Sequence, residues 1–594
     1  MNSETKTCQN CKKDFTIEPD DFAFYEKMKV PPPTFCPECR LIRRMTFRNE
    51  RTLYRRKNQA PGKEGEMILS VFSQESEQTV YDHTSWWGDT WDATSYEQEI
   101  DYAKPFFEQL KDLWRKVPDM SLYNLNSVRS DYCNIVEGNK DCYMIVGGDF
   151  NEDSLYSAFI FNSHKLADCY WVSKSEGCYE CSDSISCARL FYSRYCEGCL
   201  DGAFLFNCKN CLNCFGCINL RNKSYCIFNR QYTKKEYEEK LKEYRLESYE
   251  GIERIKNDFE KFSLNFPRKF AHMISCVDSS GNNLENCRNC KQSFDVFGGA
   301  QDSKYVWLVY SNVADFHDCD HSGLSSARCF EVSVAYPASD IMFSRFILNS
   351  HHIQYSYNCY GSSYLFGCVG MRDKEYCIFN KQYTKEEYEN TMPLLIAHMN
   401  DKPYVDKNGI VYRYGEFFPV EISPFTHNES VAQELQPLTR DEAKERNLDW
   451  REPADNKYSP TIEAKDLPDT IGEVSDDITR EVISCAHNKL CAHACPGAFK
   501  IIPQELAFYK SFKIPIPHLC SNCRHYERIT PRPPLKLWHR KCQCAGKTND
   551  SGVYSNTATH FHGTNKCTNE FKTPYAPERP EIVYCEQCYQ QEVA

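Results

Sequence analysis

Cys8-x2-Cys11 and Cys36-x2-Cys39 are two cysteine pairs separated by one short stretch of chain. Two such knuckles place four thiolates around a tetrahedral zinc and leave no position open for water, so the chemistry they announce is structural. A unit this small cannot bury enough apolar surface to fold unaided, whereas structural zinc supplies roughly 10–16 kcal/mol. The unit returns near the other end of the chain at an offset of 484. Phe15, Ile17, Pro19, Phe24, Tyr25, Pro31, Pro33, Cys36, Cys39 and Arg40 recur as Phe499, Ile501, Pro503, Phe508, Tyr509, Pro515, Pro517, Cys520, Cys523 and Arg524. Cys11 falls on Cys495, and the fourth ligand is assigned, one place off, to Cys491.

Beyond Lys541 a further knuckle, Cys585-x2-Cys588, finds its second half in Cys567 with Cys542 or Cys544, around an insertion that carries His560 and His562. The matching region of the first copy has no cysteine. Val80-Tyr81-Asp82-His83-Thr84-Ser85 stands where Val583-Tyr584-Cys585-Glu586-Gln587-Cys588 stands later, so that ribbon is expected to keep its frame without its metal. About three structural Zn2+ sites are expected in all.

Basic residues follow both knuckles. Arg40, Arg43, Arg44, Arg48, Arg51, Arg55 and Arg56 crowd behind the first; Arg524, Arg528, Trp538, Arg540 and Lys541 follow the later one. Arginines interleaved with aromatics grip phosphates and stack bases, which points to nucleic acid, RNA ahead of DNA. The competing reading pairs the same arginines with acidic groups of this chain, whose net charge of -12 leaves acid to spare.

Between the ends lies a duplicated, cysteine-rich middle. Tyr225-Cys226-Ile227-Phe228-Asn229 recurs at an offset of 151 as Tyr376-Cys377-Ile378-Phe379-Asn380, Gly147-Gly148 falls on Gly298-Gly299, and Cys208 and Cys217 fall on Cys359 and Cys368. Equal spacing implies the same number of turns in both copies. Cys178/Cys181, Cys196/Cys199 and Cys214/Cys217 step by 18 residues. A short fixed period with few helix formers reads as a β-solenoid whose cysteines form an inward ladder. Residues three apart in an extended strand point to opposite faces, so the ladder is read as packing ahead of metal or redox sites.

The expected fold is therefore mainly β: two duplicated cysteine-rich β-solenoid modules with capping helices, flanked by zinc-ribbon units at both termini. The order along the chain is 1–94 ribbon and degenerate ribbon, 95–119 helix, 120–232 first module, 233–264 helical connector, 265–383 second module, 384–480 helix and extended linker, 481–541 ribbon, and 542–594 C-terminal ribbon. Thr233-x2-Glu236 and Thr384-x2-Glu387 are capping boxes, the first opening a helix expected to reach Phe262. Phe106, Phe107, Leu110, Leu113, Trp114 and Val117 have the spacing of another helix.

At 594 residues the chain is too long for one core, and 35 cysteines without a leader sequence or membrane-length apolar run fit a reduced, cytoplasmic setting. No Walker loop, dinucleotide fingerprint or HExxH is present. Asp149, Glu152 and Asp153 are the best acidic cluster, but the second copy keeps only Asp302 there, so no catalytic residue is assigned.

The segments YCIFNKQYTKEEYE, YGEFFPVEISPF, IIPQELAFYKSFKIPIPHLCSNCR and YAPERPEIVYCEQCY resemble an uncharacterised family of cysteine-rich zinc-ribbon proteins predicted in small-genome candidate-phylum bacteria. The resemblance runs over nearly the whole chain. It implies zinc ribbons at Cys8/Cys11/Cys36/Cys39, Cys491/Cys495/Cys520/Cys523 and Cys567/Cys585/Cys588, and no activity. Asn58, Pro61, Asp82 and Ser85 depart from it, where members often carry a further cysteine set. The functional expectation is a zinc-stabilised, non-enzymatic binding protein for RNA or DNA. The alternatives are a scaffold for protein partners or homo-oligomers, and a metal or redox protein using the ladder.

Overall fold

The computed structural model describes residues 2–310, 312–452 and 459–593; Met1, Ser311, 453–458 and Ala594 lie outside the described residues, the third of these within the expected linker. The chain is mostly strand with some helices, and it divides into two units interleaved in sequence. The first comprises Met1–Leu122, Ala271–Arg451 and Leu535–Leu537; the second comprises Tyr123–Phe270, Glu452–Pro534 and Trp538–Ala594. The N-terminal ribbon thus shares a unit with the second middle module, and the C-terminal ribbons share one with the first.

In the second unit, strands Ala158–Phe161, Tyr170–Ser173 and Ser182–Ile185 pair in parallel at a register of 12 residues, Tyr170 opposite both Ala158 and Ser182. Strands Ala188–Phe191, Leu200–Ala203, Leu212–Phe215 and Ser224–Ile227 continue the same register. The local cause lies in the backbone. From Ile135 to Phe228 every third residue has a positive φ near 50–60°. Asn and Asp tolerate that left-handed state better than other non-glycine residues, and Asn207, Asn210, Asn213, Asn219 and Asn222 stand there. Each left-handed residue turns the chain, so four triplets bring it back alongside itself.

This corrects the reading of the cysteine pairs. Turned every third residue, Cys178 and Cys181 do not face opposite ways; with Cys196, Cys199, Cys214 and Cys217 they are buried in one interior cluster. The 18-residue step is one and a half registers, not the repeat. The thiols satisfy backbone groups as they pack: Cys181 Sγ donates to the Leu190 carbonyl at 3.1 Å and Cys199 Sγ to that of Cys208 at 3.3 Å. Where serine takes the inward place its hydroxyl accepts from the amide twelve residues on, as Ser157 does from Cys169 at 2.9 Å.

The stack in the first unit follows the same rule with a slip. Its registers open at 11, Met273 opposite Leu284, pass to 12 with Gly281 opposite Ser293, lengthen to 13 with Cys287 opposite Ala300 and Cys319 opposite Val332, and return to 12 with Arg345 opposite Tyr357. The equal sequence spacing of the two copies therefore hides added residues. Gly147-Gly148 and Gly298-Gly299 do not occupy equivalent places.

Helices flank both stacks. Lys234–Leu241 and Lys385–Asp401 open with capping boxes at Thr233 and Thr384, and Phe106–Lys116 lies where the apolar spacing put it. The helix expected to run to Phe262 is broken: Arg245 turns left-handed and Ser248 caps a new helix, Tyr249–Ser263. Within the expected linker, Tyr412, Phe417 and Phe418 are buried in the first unit, so this stretch is core rather than a free arm.

Candidate metal centres

The N-terminal ribbon hairpin pairs Glu4–Thr7 with Asp14–Ile17, and Cys8 and Cys11 sit at its tip. Cys36 caps the helix Pro37–Met45, which also carries Cys39. Cys8, Cys11, Cys36 and Cys39 converge with all four Sγ atoms within 4.8 Å of one another. The Cys36 amide donates to Cys8 Sγ at 3.2 Å, and Cys11 Sγ lies 3.7 Å from Cys36 Sγ. Four thiolates at the usual Zn–S bond of about 2.3 Å stand about 3.8 Å apart along the tetrahedron edge, so this spacing fits a metal of that size.

The matching C-terminal centre uses a different cysteine from the one the spacing suggested. Cys485, Cys495, Cys520 and Cys523 converge there. The Cys520 amide donates to Cys485 Sγ at 3.3 Å, the counterpart of the Cys36–Cys8 bond. Cys485 follows strand Ile483–Ser484, which pairs with Ala498–Phe499 as the N-terminal hairpin does. Cys491 is displaced from this set by a lengthened knuckle loop: nine residues lie between Cys485 and Cys495, where two lie between Cys8 and Cys11. It joins His487, His493 and Cys523 in a neighbouring group. The strand-then-cysteine order at Ile483–Cys485 was the signal that could have found it.

In the last ribbon, Cys542, Cys567, Cys585 and Cys588 converge, and Cys544 belongs with His560, His562 and Cys588. Five groups among the described residues could therefore hold a metal, against about three expected.

The degenerate N-terminal ribbon holds the same frame by other bonds. The Asp82 amide donates to Asn58 Oδ1 at 3.2 Å and the Ser85 amide to Asp82 Oδ1 at 3.1 Å. In the cysteine-bearing copy the Cys585 amide donates to Cys542 Sγ at 3.2 Å and the Cys588 amide to Cys585 Sγ at 3.5 Å. Gln59 accepts from Val80 as Gln543 accepts from Val583. Burial opposes ionisation of Asp82, but bonds from Ser85, Asn58 and Lys63 hold its carboxyl down at about 2.

The ribbon-helix arginines turn inward. Arg40 pairs with Asp318 at 2.9 Å; Arg43 pairs with Glu331 at 2.7 Å and Glu416 at 2.8 Å; Arg44 pairs with Asp320 at 2.9 Å; Arg48 pairs with Asp320 at 3.1 Å. All four are at most 2% exposed. Burial would lower the Arg44 pKa, but Asp320, Asp318 and Glu331 outweigh it and hold the guanidinium charged. In the second unit Arg524 reaches Asp168 at 3.0 Å and Glu505 at 3.2 Å, and Arg528 reaches Asp168 at 3.3 Å. Arg56 is buried against the Ser73 and Gln78 carbonyls. Placed so, Arg40, Arg43, Arg44, Arg48, Arg56, Arg524 and Arg528 are buried against partners of their own unit. Of the remaining expected contacts, Arg51 lies 3.8 Å from Glu434, Trp538 and Arg540 are half-buried, Arg55 is exposed, and Lys541 is exposed 3.0 Å from Glu570.

Among the described residues the interior ladder joins none of the metal-ligand groups. Burial pushes the thiols of Cys133 and Cys359 up to about 12 and that of Cys142 up to about 11. Cys211 is the counter-example, pulled down by hydrogen bonds from Cys199, Cys208 and Cys214. No described helix is long and apolar enough to cross a membrane.

No protein-family model matches the chain, and no curated protein does. Among solved structures it is similar to one described as a "putative acetyltransferase from Desulfovibrio desulfuricans G20", at 11% identity over 49% of this chain and 86% of that one, with a TM-score of 0.11. A TM-score that low carries no argument about fold or activity.

Proposed function

We propose that the chain is a non-enzymatic, zinc-stabilised scaffold built on two β-solenoids, each clamped by a ribbon, whose outer faces bind protein partners or further copies of itself. The solenoid reading is supported by parallel registers of 12 or 13 residues and by the left-handed residue at every third position. Zinc is the metal that fits four thiolates spaced 3.7–4.0 Å apart with no open position. A ladder thiol raised to about 12 stays protonated at neutral pH, which disfavours redox chemistry at Cys359.

The observation that carries the scaffold reading over nucleic-acid binding is the inward turn of the arginines, with Arg44 fully buried among Asp318, Asp320 and Glu331. Charges already neutralised inside a unit release no counterions from a nucleic acid. The test is binding of labelled RNA and duplex DNA to the purified chain at low and high salt. The scaffold reading expects no binding even at low salt. Tight binding that weakens steeply with salt, and is lost when Arg55, Lys57 and Lys541 are neutralised, restores a nucleic-acid function.

A further inference from the structure

We propose that each C-terminal ribbon holds two metal ions joined by one bridging thiolate, Cys523 in the first and Cys588 in the second. Each cysteine belongs to two ligand groups at once. Cys523 Sγ lies 3.8 Å from Cys485 Sγ, on the four-cysteine side, and 3.7 Å from Cys491 Sγ, on the mixed side. A thiolate has lone pairs for two metals, and two Zn–S bonds of about 2.3 Å put such metals within about 4.6 Å of each other.

The mixed groups are built to receive an ion. Nδ1 of His487 and Nδ1 of His493 are buried with no hydrogen-bond partner, a costly arrangement for a ring nitrogen that no ligand uses. His493 is held by stacking on Tyr526, with centroids 4.9 Å apart and planes 3° from parallel, and His487 Nε2 lies 3.5 Å from Glu527. In the last ribbon His560 Nδ1 lies 3.2 Å from Cys544 Sγ, and His562 Nε2 lies 3.2 Å from Cys588 Sγ. The far nitrogen of each ring meets an oxygen: His560 Nε2 faces Glu592 at 3.1 Å, and His562 Nδ1 faces the Asn565 carbonyl at 2.7 Å. That is the outer-shell pattern which fixes the tautomer of a ligating histidine. Glu592 is itself fixed by Tyr554, Thr557 and Ala558.

The same composition, five cysteines and two histidines, arises from two different insertions, the His487–Ala494 loop and the segment carrying His560 and His562. The N-terminal ribbon has neither insertion and forms a single four-cysteine group. Pairing also eases burial of charge. Four thiolates on one zinc leave a formal charge of roughly −2, whereas five thiolates and two neutral imidazoles on two zincs leave roughly −1. With four protein ligands apiece, neither ion has an open position, so the pairs are structural and not hydrolytic.

The inference rests on the metal reading of the four-cysteine groups, and the experiment separates the two. Metal content of the full chain, measured by elemental analysis and native mass spectrometry, is expected to be five zinc per chain. The His487→Ala/His493→Ala and His560→Ala/His562→Ala variants, which keep both bridging cysteines, are each expected to lose one. Three zinc in the wild type, or variants that keep the wild-type count, would overturn the pairs while leaving the four-cysteine sites standing; no metal at all would overturn both. Cobalt substitution of the wild type needs no variant to fold. Bridged pairs couple magnetically, so a spin count below the cobalt content is expected, and a spin count equal to it refutes bridging.

Discussion

Asn58 donates to Asp82 at 2.7 Å in the position where Cys542 and Cys585 converge in the later ribbon. A hydrogen-bond network stands where the later ribbon gathers its cysteines, on a matching hairpin. Tyr54–Lys57 still pairs with Met67–Ser70 as Trp538–Lys541 pairs with Glu570–Thr573.

The replacement carries an acid dependence. Asp82 has its folded pKa held near 2 against an ordinary 3.8. A carboxyl depressed on folding contributes stability that is present above the ordinary value and is lost as pH falls through the folded one. Between about pH 4 and pH 2 the first unit is expected to lose about 1–2 kcal/mol from this group. Asp82→Asn should remove that part of the slope in urea titrations at stepped pH; an unchanged slope would put the acid sensitivity elsewhere.

The frame should also accept its metal back. Lys57 opposite Met67 corresponds to Lys541 opposite Glu570, so counting back three residues places Glu64 at the position of Cys567. Asn58→Cys, Glu64→Cys, Asp82→Cys and Ser85→Cys together are expected to add one zinc per chain by elemental analysis. An unchanged zinc count would show that the frame has drifted.

The arginine clamp is predicted to be a stability element. Removing one partner of a buried ion pair leaves an uncompensated charge and costs about 3–5 kcal/mol. Arg44→Met, which takes one cation from the buried cluster and leaves Asp320 to Arg48 and Glu331 to Arg43, should lower the thermal midpoint sharply. Lys541→Met, at an exposed pair with Glu570, should change stability by less than about 0.5 kcal/mol. Equal effects from both would contradict the burial of the clamp.

Ladder and ribbon cysteines are expected to fail differently. Cys199→Ala removes a buried thiol and should cost about 1–2 kcal/mol with no change in bound zinc. Cys36→Ser with Cys39→Ser should lose one zinc and open the N-terminal ribbon to protease, while far-ultraviolet circular dichroism keeps its β signal. Zinc lost with Cys199 would make the ladder a metal site.

Much of this was legible one residue at a time. The knuckles at Cys36/Cys39 and Cys585/Cys588, the caps at Thr233 and Thr384, and the helix at Phe106–Lys116 are local features, written by spacings shorter than a helical turn or two. Cys485 was missed because an insertion stretched its knuckle past any recognisable spacing. The 12-residue register is hard to read from sequence because only some of the left-handed places at every third residue carry Asn, Asp or Gly, the others holding residues such as Tyr156, Trp171 and Arg189. It is this backbone, set at every third residue whatever its type, that gives the cysteines their direction.

The sequence by itself determined the ligand-rich ends, the internal duplications and the β character of the middle, since each depends on residue type and short spacing. Tertiary structure alone decided which cysteines share a centre and where the arginines point. Arg44 and Asp320 are 276 residues apart, and Arg524 and Asp168 are 356 apart. Local pattern cannot say whether a guanidinium will meet a phosphate in solvent or a carboxylate in its own core. That choice is made by which distant charge the fold delivers within 3 Å, where burial makes leaving either partner alone more costly than pairing them.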